Sequence, residues 1–447
     1  MKITKRTAAT KDDIQLSGSV EITKLSIILA SLCNCVSNIK NVSNAAEIDD
    51  LVNILEQFGV KTVQNNDITT INGKNISLWQ QPNNVVNVKS SFDILNYILN
   101  IVLSCNFRVF FTGNDDFINK NFSYLKYVGL GDNLMFKKNY ELPLLSNGNY
   151  NIKNNNLVVD DVIKKNSLLF NFFANDRECV ILDKSVKSEY LEEILKFYGV
   201  ELKEIITENK TLLTREMRKS KEIFLKKGTK IDGSRYFTVP ADITESIYSI
   251  FIGLMLNAPK FTIKNVSLNE LNNDVVKVLI ENGVNIEFKN QKILNGIKVV
   301  DLIVGESFLK STTISKGRLM NIMNIYPLLI MLNVIKRNEI KIIGLKELKT
   351  ADGDNYNNFI KVLKSINVSV NEDKDTLTIN CDNVKLVDNI DLDKSTLDTK
   401  TKLALFLSNI ALSRDIFYKS KIEDFESIFP NLKNVVEQFG LEIIYEN

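Results

Sequence analysis

Residues 275–288 read VVKVLIENGVNIEF, and the order of residue types in them decides the fold. An amphipathic helical stretch runs into Gly283, a residue that takes positive φ cheaply just past a last helical turn. Val284, Ile286 and Phe288 then alternate with polar residues, which is the period of a half-buried strand. The same passage occurs in LVNILEQFGVKTV (51–63), FSYLKYVGLGDNLMF (122–136), LEEILKFYGVELKEI (191–205) and VVEQFGLEII (435–444). In FIKVLKSINVSV (359–370), asparagine, the next best residue for that conformation, replaces glycine as Asn367. The turning residues stand at 59, 129, 199, 283, 367 and 440, so they lie 70 to 84 residues apart. A period that long is a whole βα unit, and the chain reads as an array of six similar folding units.

Bulk composition agrees with this and excludes several classes. A chain of 447 residues favours two or three domains, and 44% hydrophobic with 25% charged residues suits a large buried core. A net charge of +2 predicts no general affinity for nucleic acid or membrane. The cysteines, Cys33, Cys35, Cys105, Cys179 and Cys381, are odd in number and form no CxxC, so they read as small core residues in a reducing compartment. The opening, MKITKRTAATKDDIQLSGSV, has no apolar region of the kind that targets a chain for export. Ile247–Leu256 and Tyr326–Val334 are too short to span a bilayer. A soluble, cytoplasmic protein is expected.

The sequence contains no histidine. Ser-His-Asp and Cys-His catalysis and His-containing zinc sites are therefore excluded. No Walker motif, GxGxxG or metal-spaced cluster is present, so neither metal nor cofactor is expected. Lysine outnumbers arginine 47 to 9, which leaves few guanidinium forks for gripping phosphate.

Three of the turning residues precede residue 235 and three follow 245. Between them, GSRYFTVPADITESIYSIFIGLML passes from an extended segment through Pro240–Ala241–Asp242 into an apolar helix that Asp242 or Thr244 could cap. IQLSGSVEITKLSIILASL (14–32) makes a similar strand-turn-helix passage near the start. The chain is thus expected to form two three-unit lobes, residues 17–238 in one and residues 1–16 with 239–447 in the other.

These segments resemble the enolpyruvyl transferases, EPSP synthase above all. Residues 236–257 resemble that family's crossover between lobes. Residues 340–370 resemble the stretch that carries its Lys-Glu-Ser-Asp-Arg motif, and KLALFLSNIAL (402–412) the helix after its Asp-His-Arg. SIFPNLKNVVEQFG (427–440) is similar to its Lys-Ser-Phe-Pro terminus, and FRVFFTGNDDF (107–117) to the strand and turn before its flexible loop. The resemblance runs from about Gln15 to Ile444. It implies an α/β (α+β) fold, a two-lobed inside-out α/β barrel of six βαβαββ repeats, three per lobe. It also implies transfer of an enolpyruvyl group from phosphoenolpyruvate, in a cleft lined by Lys, Arg and a carboxylate that takes up protons.

At the family's functional positions this sequence departs from the pattern. Gly-Ser-Lys-Ser is here Gly18–Ser19–Val20–Glu21, and Leu25 stands in place of an arginine. Asn-Ala-Gly-Thr falls on Ser90–Ser91–Phe92–Asp93, and the loop arginine on Asp116, with Lys120 the nearby cation. Ser-Ser-Gln is Lys164–Lys165–Asn166. The catalytic Asp-Glu falls on Tyr326–Pro327, and Lys-Glu-Ser-Asp-Arg on residues 351–355, placing Asp352, Asp354 and Asn355 there. Asp-His-Arg is Lys400–Thr401–Lys402, the terminal lysine is Ser427, and Asp115 stands near the reactive loop cysteine of the UDP-sugar branch.

Charge-assisted bonds to phosphate contribute roughly 1.5–3 kcal/mol each. Losing five or six exceeds the roughly 6–8 kcal/mol that sustains a substrate site. The reading is therefore an EPSP synthase-like pseudoenzyme, a binding or regulatory paralogue without carboxyvinyl transfer. The alternatives are a working 3-phosphoshikimate 1-carboxyvinyltransferase rebuilt around Lys and Asp, and an unrelated activity in the same cleft. Ser19, Lys24, Lys164, Lys165, Asn166, Lys349, Asp354 and Lys402 are the remaining candidates to meet a small anionic ligand, and a protein partner is the other class of partner left open. Lys164 and Lys165 with Lys89 form either an anion pocket or, as expected, a solvated charged face. Asp352 and Asp354 are expected to cap a helix, the other reading being a cation site, and Arg235 to pair with a carboxylate.

Overall fold

Two kinds of helix follow from the sequence. In the computed structural model, Val20–Leu32, Phe92–Val102, Ile243–Met255 and Tyr326–Lys336 are buried along nearly their whole length. Helices without a polar face need protein on every side. Ala46–Gln57 buries only the stripe Ile48, Leu51, Ile54 and Leu55, as its amphipathic pattern demands. The structure describes all residues except 1, 6–9, 66, 126–132, 151, 153–154, 186–189, 211–216, 229–234, 268–269, 381–396, 411–415, 418–424 and 445–447.

Capping fixes where the buried helices begin. Ser19, Ser91 and Asp161 each accept a backbone N–H of their own first turn. Asp242 Oδ1 accepts from Thr244 N at 2.7 Å and Glu245 N at 3.1 Å, so Asp242 is the cap that the sequence offered. Gly59, Gly199, Gly283, Asn367 and Gly440 all have positive φ, between 59° and 92°, and each joins a helix to a strand. Gly129 and Cys381 lie outside the described residues.

The chain divides into two compact units. One, called here the first unit, comprises residues 18–240 with 293–297; the second comprises 1–17, 241–292 and 298–447. Among the described residues, the first unit holds three four-stranded sheets. Their orders are Arg235–Thr238, Val36–Lys40, Ile68–Asn72, Lys61–Asn65; then Val86–Asn87, Val109–Thr112, Leu144–Ser146, Leu134–Phe136; and then Asn156–Val159, Cys179–Asp183, Met217–Leu225, Leu202–Lys210. In each, the first pair is parallel and the other two are antiparallel.

Among the described residues, the second unit also has three sheets. Thr312–Ile314, Ile340–Ile343, Thr376–Asn380 and Ser369–Asp373 repeat the same pairing pattern. Asp13–Ile14 runs parallel to Phe261–Ser267, which pairs in turn with Ile297–Val304 and so reaches Ile286–Leu294. Lys2–Lys5 lies between Ile416–Phe417 and Leu441–Ile444. The second unit's core joins Ile250, Phe251, Leu329, Ile330, Phe359 and Phe406. Among the described residues, no single helix is long and apolar enough to cross a membrane.

Candidate functional site

In the first unit, the strand-to-helix turn at Gly18 sets the candidate residues in place. A Cβ at Gly18 would stand 2.0 Å from the Asn41 carbonyl oxygen, so only glycine fits. Ser19 donates its backbone N–H to the Pro240 carbonyl at 2.9 Å while its hydroxyl caps Val20–Leu32. Lys24, one turn further on, is only 5% exposed. Its ammonium donates to Glu47 Oε2 at 3.1 Å and to Asp93. The Ser91 hydroxyl donates to Asp93 Oδ1 at 3.0 Å and lies 3.3 Å from Glu47 Oε2.

This cluster holds one positive charge between two negative ones. Burial alone would lower the Lys24 pKa, but Asp93 and Glu47 outweigh it and hold the ammonium above its ordinary value. Burial would likewise raise Asp93, and the Lys24 charge and hydrogen bond hold it below the usual carboxylate range instead. One cation between two carboxylates has no attraction left for a phosphate. Leu25 is fully buried and Val20 half-buried, neither with a charge to add.

The lysine pair 164–165 does not form the solvated face expected of it. Lys164 is partly exposed and lies 3.3 Å from Asp160. Lys165 is fully buried, with its ammonium 2.7 Å from Glu192 Oε1 and 3.8 Å from Asp183. Lys221, also buried, bridges Glu192 at 3.2 Å and Glu204 at 3.1 Å. Asn166 is buried, donating to the Tyr97 hydroxyl at 3.4 Å. Lys120 lies over the rings of Phe92 and Phe117 at 4.9 Å and 5.2 Å, while Lys89 and Asp116 are exposed.

The second unit carries the other candidates. Pro327 stands in the first turn of Tyr326–Lys336, where its missing N–H costs nothing. Tyr326 is 1% exposed and donates its hydroxyl to Asp352 Oδ2. Burial first, then the bond to Asp352, push its pKa far up, so it is a fixed donor and not a base. Asn355 Nδ2 donates to the same Asp352 oxygen at 2.8 Å and to Thr401 Oγ1 at 3.1 Å. Asn355 Oδ1 accepts from the Asp398 N–H, and Asp398 Oδ1 from the Thr401 N–H, both at 2.8 Å. Lys400 donates to Asn324, and Lys349 is paired with Glu372. Lys402 is half-buried, and Asp354 and Ser427 are exposed.

Two further expectations give way. The helical run Leu345–Ser365 breaks at Gly353 (φ 52°, ψ −125°), yet Asp352 accepts from the side chains of Tyr326 and Asn355, and no hydrogen bond among the described residues runs from a backbone N–H to the Asp352 or Asp354 carboxylate. Arg235 donates to the Tyr198 carbonyl at 3.5 Å instead of to a carboxylate. Of the buried cluster around Glu192, sequence reasoning singles out Lys165 alone, although its partners leave a signal. Lys221 shares strand parity with Ile223 and Leu225, and Asp183 with Cys179 and Ile181, so alternation alone points both charges inward. Among the described residues, no group of His, Cys, Asp and Glu could hold a metal ion.

Three comparisons identify the class. The family model for EPSP synthase (3-phosphoshikimate 1-carboxyvinyltransferase) matches residues 4–401. A 3-phosphoshikimate 1-carboxyvinyltransferase of Petrotoga mobilis is 24% identical over 436 residues, covering 95% of this chain and 96% of the relative. The EPSP synthase of Acinetobacter baumannii superposes with a TM-score of 0.80 at 14% identity, over 99% of this chain and 100% of its own. The enolpyruvyl transferase NikO of Streptomyces tendae gives 0.64 at 11%, over 100% and 98%. The fold is thus the mixed α/β fold of the enolpyruvyl transferases. The chain belongs to the EPSP synthase family.

Proposed function

We propose that this chain is an EPSP synthase-like protein that has lost carboxyvinyl transfer and serves as a binding or regulatory paralogue. On this reading its sheets belong to six βαβαββ units, three in each lobe of a two-lobed inside-out barrel, with lobes of residues 17–238 and of 1–16 with 239–447. One observation carries the functional reading. Where the family needs free cations for two anions, candidate residues in each unit already hold one another: Lys24 between Glu47 and Asp93, and Tyr326 with Asn355 on Asp352.

A carboxylate already holding two donors repels phosphate, and a paired lysine must break its pair to bind it. Each such exchange forfeits what a charge-assisted bond would contribute, about 1.5–3 kcal/mol. Loss of a catalytic carboxylate removes a further factor of about 10²–10⁴ in rate. A working transferase with a rebuilt site is the second reading. It is favoured by Lys402, which has no ion pair among the described residues, and by the relatives' shared name.

Calorimetry with phosphoenolpyruvate and shikimate 3-phosphate, separately and together, decides between them. The expected result is no saturable heat and no phosphate release above background, with an intact-motif family member as positive control. Submillimolar cooperative binding or measurable turnover would establish the second reading.

A further inference from the structure

The third sheet of the first unit has an outward face with no part in the proposed function. Strand register aligns Asn156, Val180, Phe224 and Lys203 in one row across all four strands. Their neighbours Cys179 and Leu225 are buried, so alternation turns the row away from the core and from the buried ions Asp183 and Lys221. At this end of the sheet lies a cavity of about 890 Å³, lined by that row with Glu178, Glu201 and Lys226 among others. Its size is that of a small-molecule site.

The charges around it are arranged in opposition. Glu201 and Lys226 satisfy each other at 2.6 Å. Glu178 and Lys203 are exposed, and neither has an ion pair among the described residues. Glu178 directly precedes the strand Cys179–Asp183, and Lys203 lies on Leu202–Lys210, with Met217–Leu225 between them. Adjacent strands lie about 4.8 Å apart, and Glu178 stands two residues, about 7 Å, along its strand from the row of Lys203, so the two residues are about 12 Å apart, with Val180 and Phe224 as an apolar floor.

We propose that this cavity binds a short apolar peptide of two or three residues with free ends. Its carboxylate meets the Lys203 ammonium, its ammonium meets Glu178, and its apolar side chain covers Phe224 and Val180. An extended chain spans about 3.3–3.6 Å per residue, so two or three residues bridge most of that separation, the two charged side chains reaching for the rest. A free amino acid carries both charges on groups attached to a single carbon, too close together to engage both partners. A polyphosphate finds a neutral rim and an apolar floor. The proposal does not rest on the transferase reading, because it uses none of the same residues.

The test is titration of the full chain with the dipeptide Phe-Leu, followed by NMR or calorimetry, alongside N-acetyl-Phe-Leu-amide and free phenylalanine. Saturable binding of Phe-Leu is expected, with both comparison ligands at least about five-fold weaker. K203E and E178K should each weaken Phe-Leu at least about five-fold, and the double exchange K203E/E178K should restore much of it with the peptide reversed. All three variants change exposed side chains, and an unchanged melting temperature checks that each is folded. Absence of saturable binding by Phe-Leu would overturn the proposal. So would equal binding of the end-blocked peptide or of phenylalanine, or affinity that survives both single charge reversals.

Discussion

Glu245 sits in the first turn of Ile243–Met255, buried, with its carboxylate oxygens 3.2 and 3.3 Å from the Ser17 hydroxyl. Burial first, and then repulsion from Asp242, raise its pKa well above the ordinary carboxylate value. Below about pH 4 the folded and unfolded chains both carry the proton, and the residue costs nothing. As pH rises above that, the unfolded chain releases its proton while the folded one keeps it. Stability then falls by about 1.4 kcal/mol per pH unit until the folded pKa is reached. Glu245→Gln is therefore expected to unfold at higher urea than the parent at pH 8 and at a similar concentration at pH 4. A constant difference across that range would show that the carboxyl is not the cause. Gly18→Ala tests the neighbouring turn. A Cβ 2.0 Å from a backbone oxygen forces that turn to shift, at a cost of about 1–3 kcal/mol that thermal unfolding would reveal.

Helix Tyr190–Phe197 and strands Cys179–Asp183 and Met217–Leu225 meet around Lys165, Glu192, Lys221 and Asp183, all of them fully buried. Packing between these elements is thus partly ionic, and Glu192 holds two ammonium groups at once. Glu204 extends the network toward solvent. Burial would raise its pKa, but the bond from Lys196 and the charge of Lys221 hold it below the ordinary value. Removing one partner of a buried pair typically costs about 3–5 kcal/mol, because the other charge is left in a poor solvent. Glu192→Ala is expected to cost that much in chemical denaturation. Replacing Lys165 and Glu192 together by Met and Leu should recover most of it. A loss below about 1 kcal/mol in the single variant would mean that Asp183 and Glu204 take over both lysines.

For the whole molecule, the family's fold is retained, and Lys24 in one unit and Asp352 in the other already hold partners within their own units. A ligand shifts a conformational equilibrium only by its differential affinity for the two forms. With no affinity expected for phosphoenolpyruvate or shikimate 3-phosphate, the radius of gyration by small-angle scattering should be unchanged by either or both. A fall on adding the pair would show that the anions still find cations here, and it would sink the non-catalytic reading.

Local physics makes much of this fold legible in the amino-acid sequence. Glycine or asparagine after an amphipathic helix requires positive φ whatever surrounds it, so Gly59, Gly199, Gly283, Asn367 and Gly440 can be placed from the sequence alone. The helices that are apolar all round announce their burial, and Asp242 its cap. The absence of histidine and the scarcity of arginine are equally plain, because they need no partner to be read. Tertiary structure alone decides what the remaining charges do. Lys24 meets Asp93 across 69 positions, Lys165 meets Glu192 across 27, and Asn355 meets Thr401 across 46. A charge's role depends on what lies within a few ångströms of it and on how much water remains there. The spacing along the chain does not encode those distances for residues this far apart. So the sequence determined which cations this protein has, and the folded chain decided that Lys24 and Lys165 are already taken.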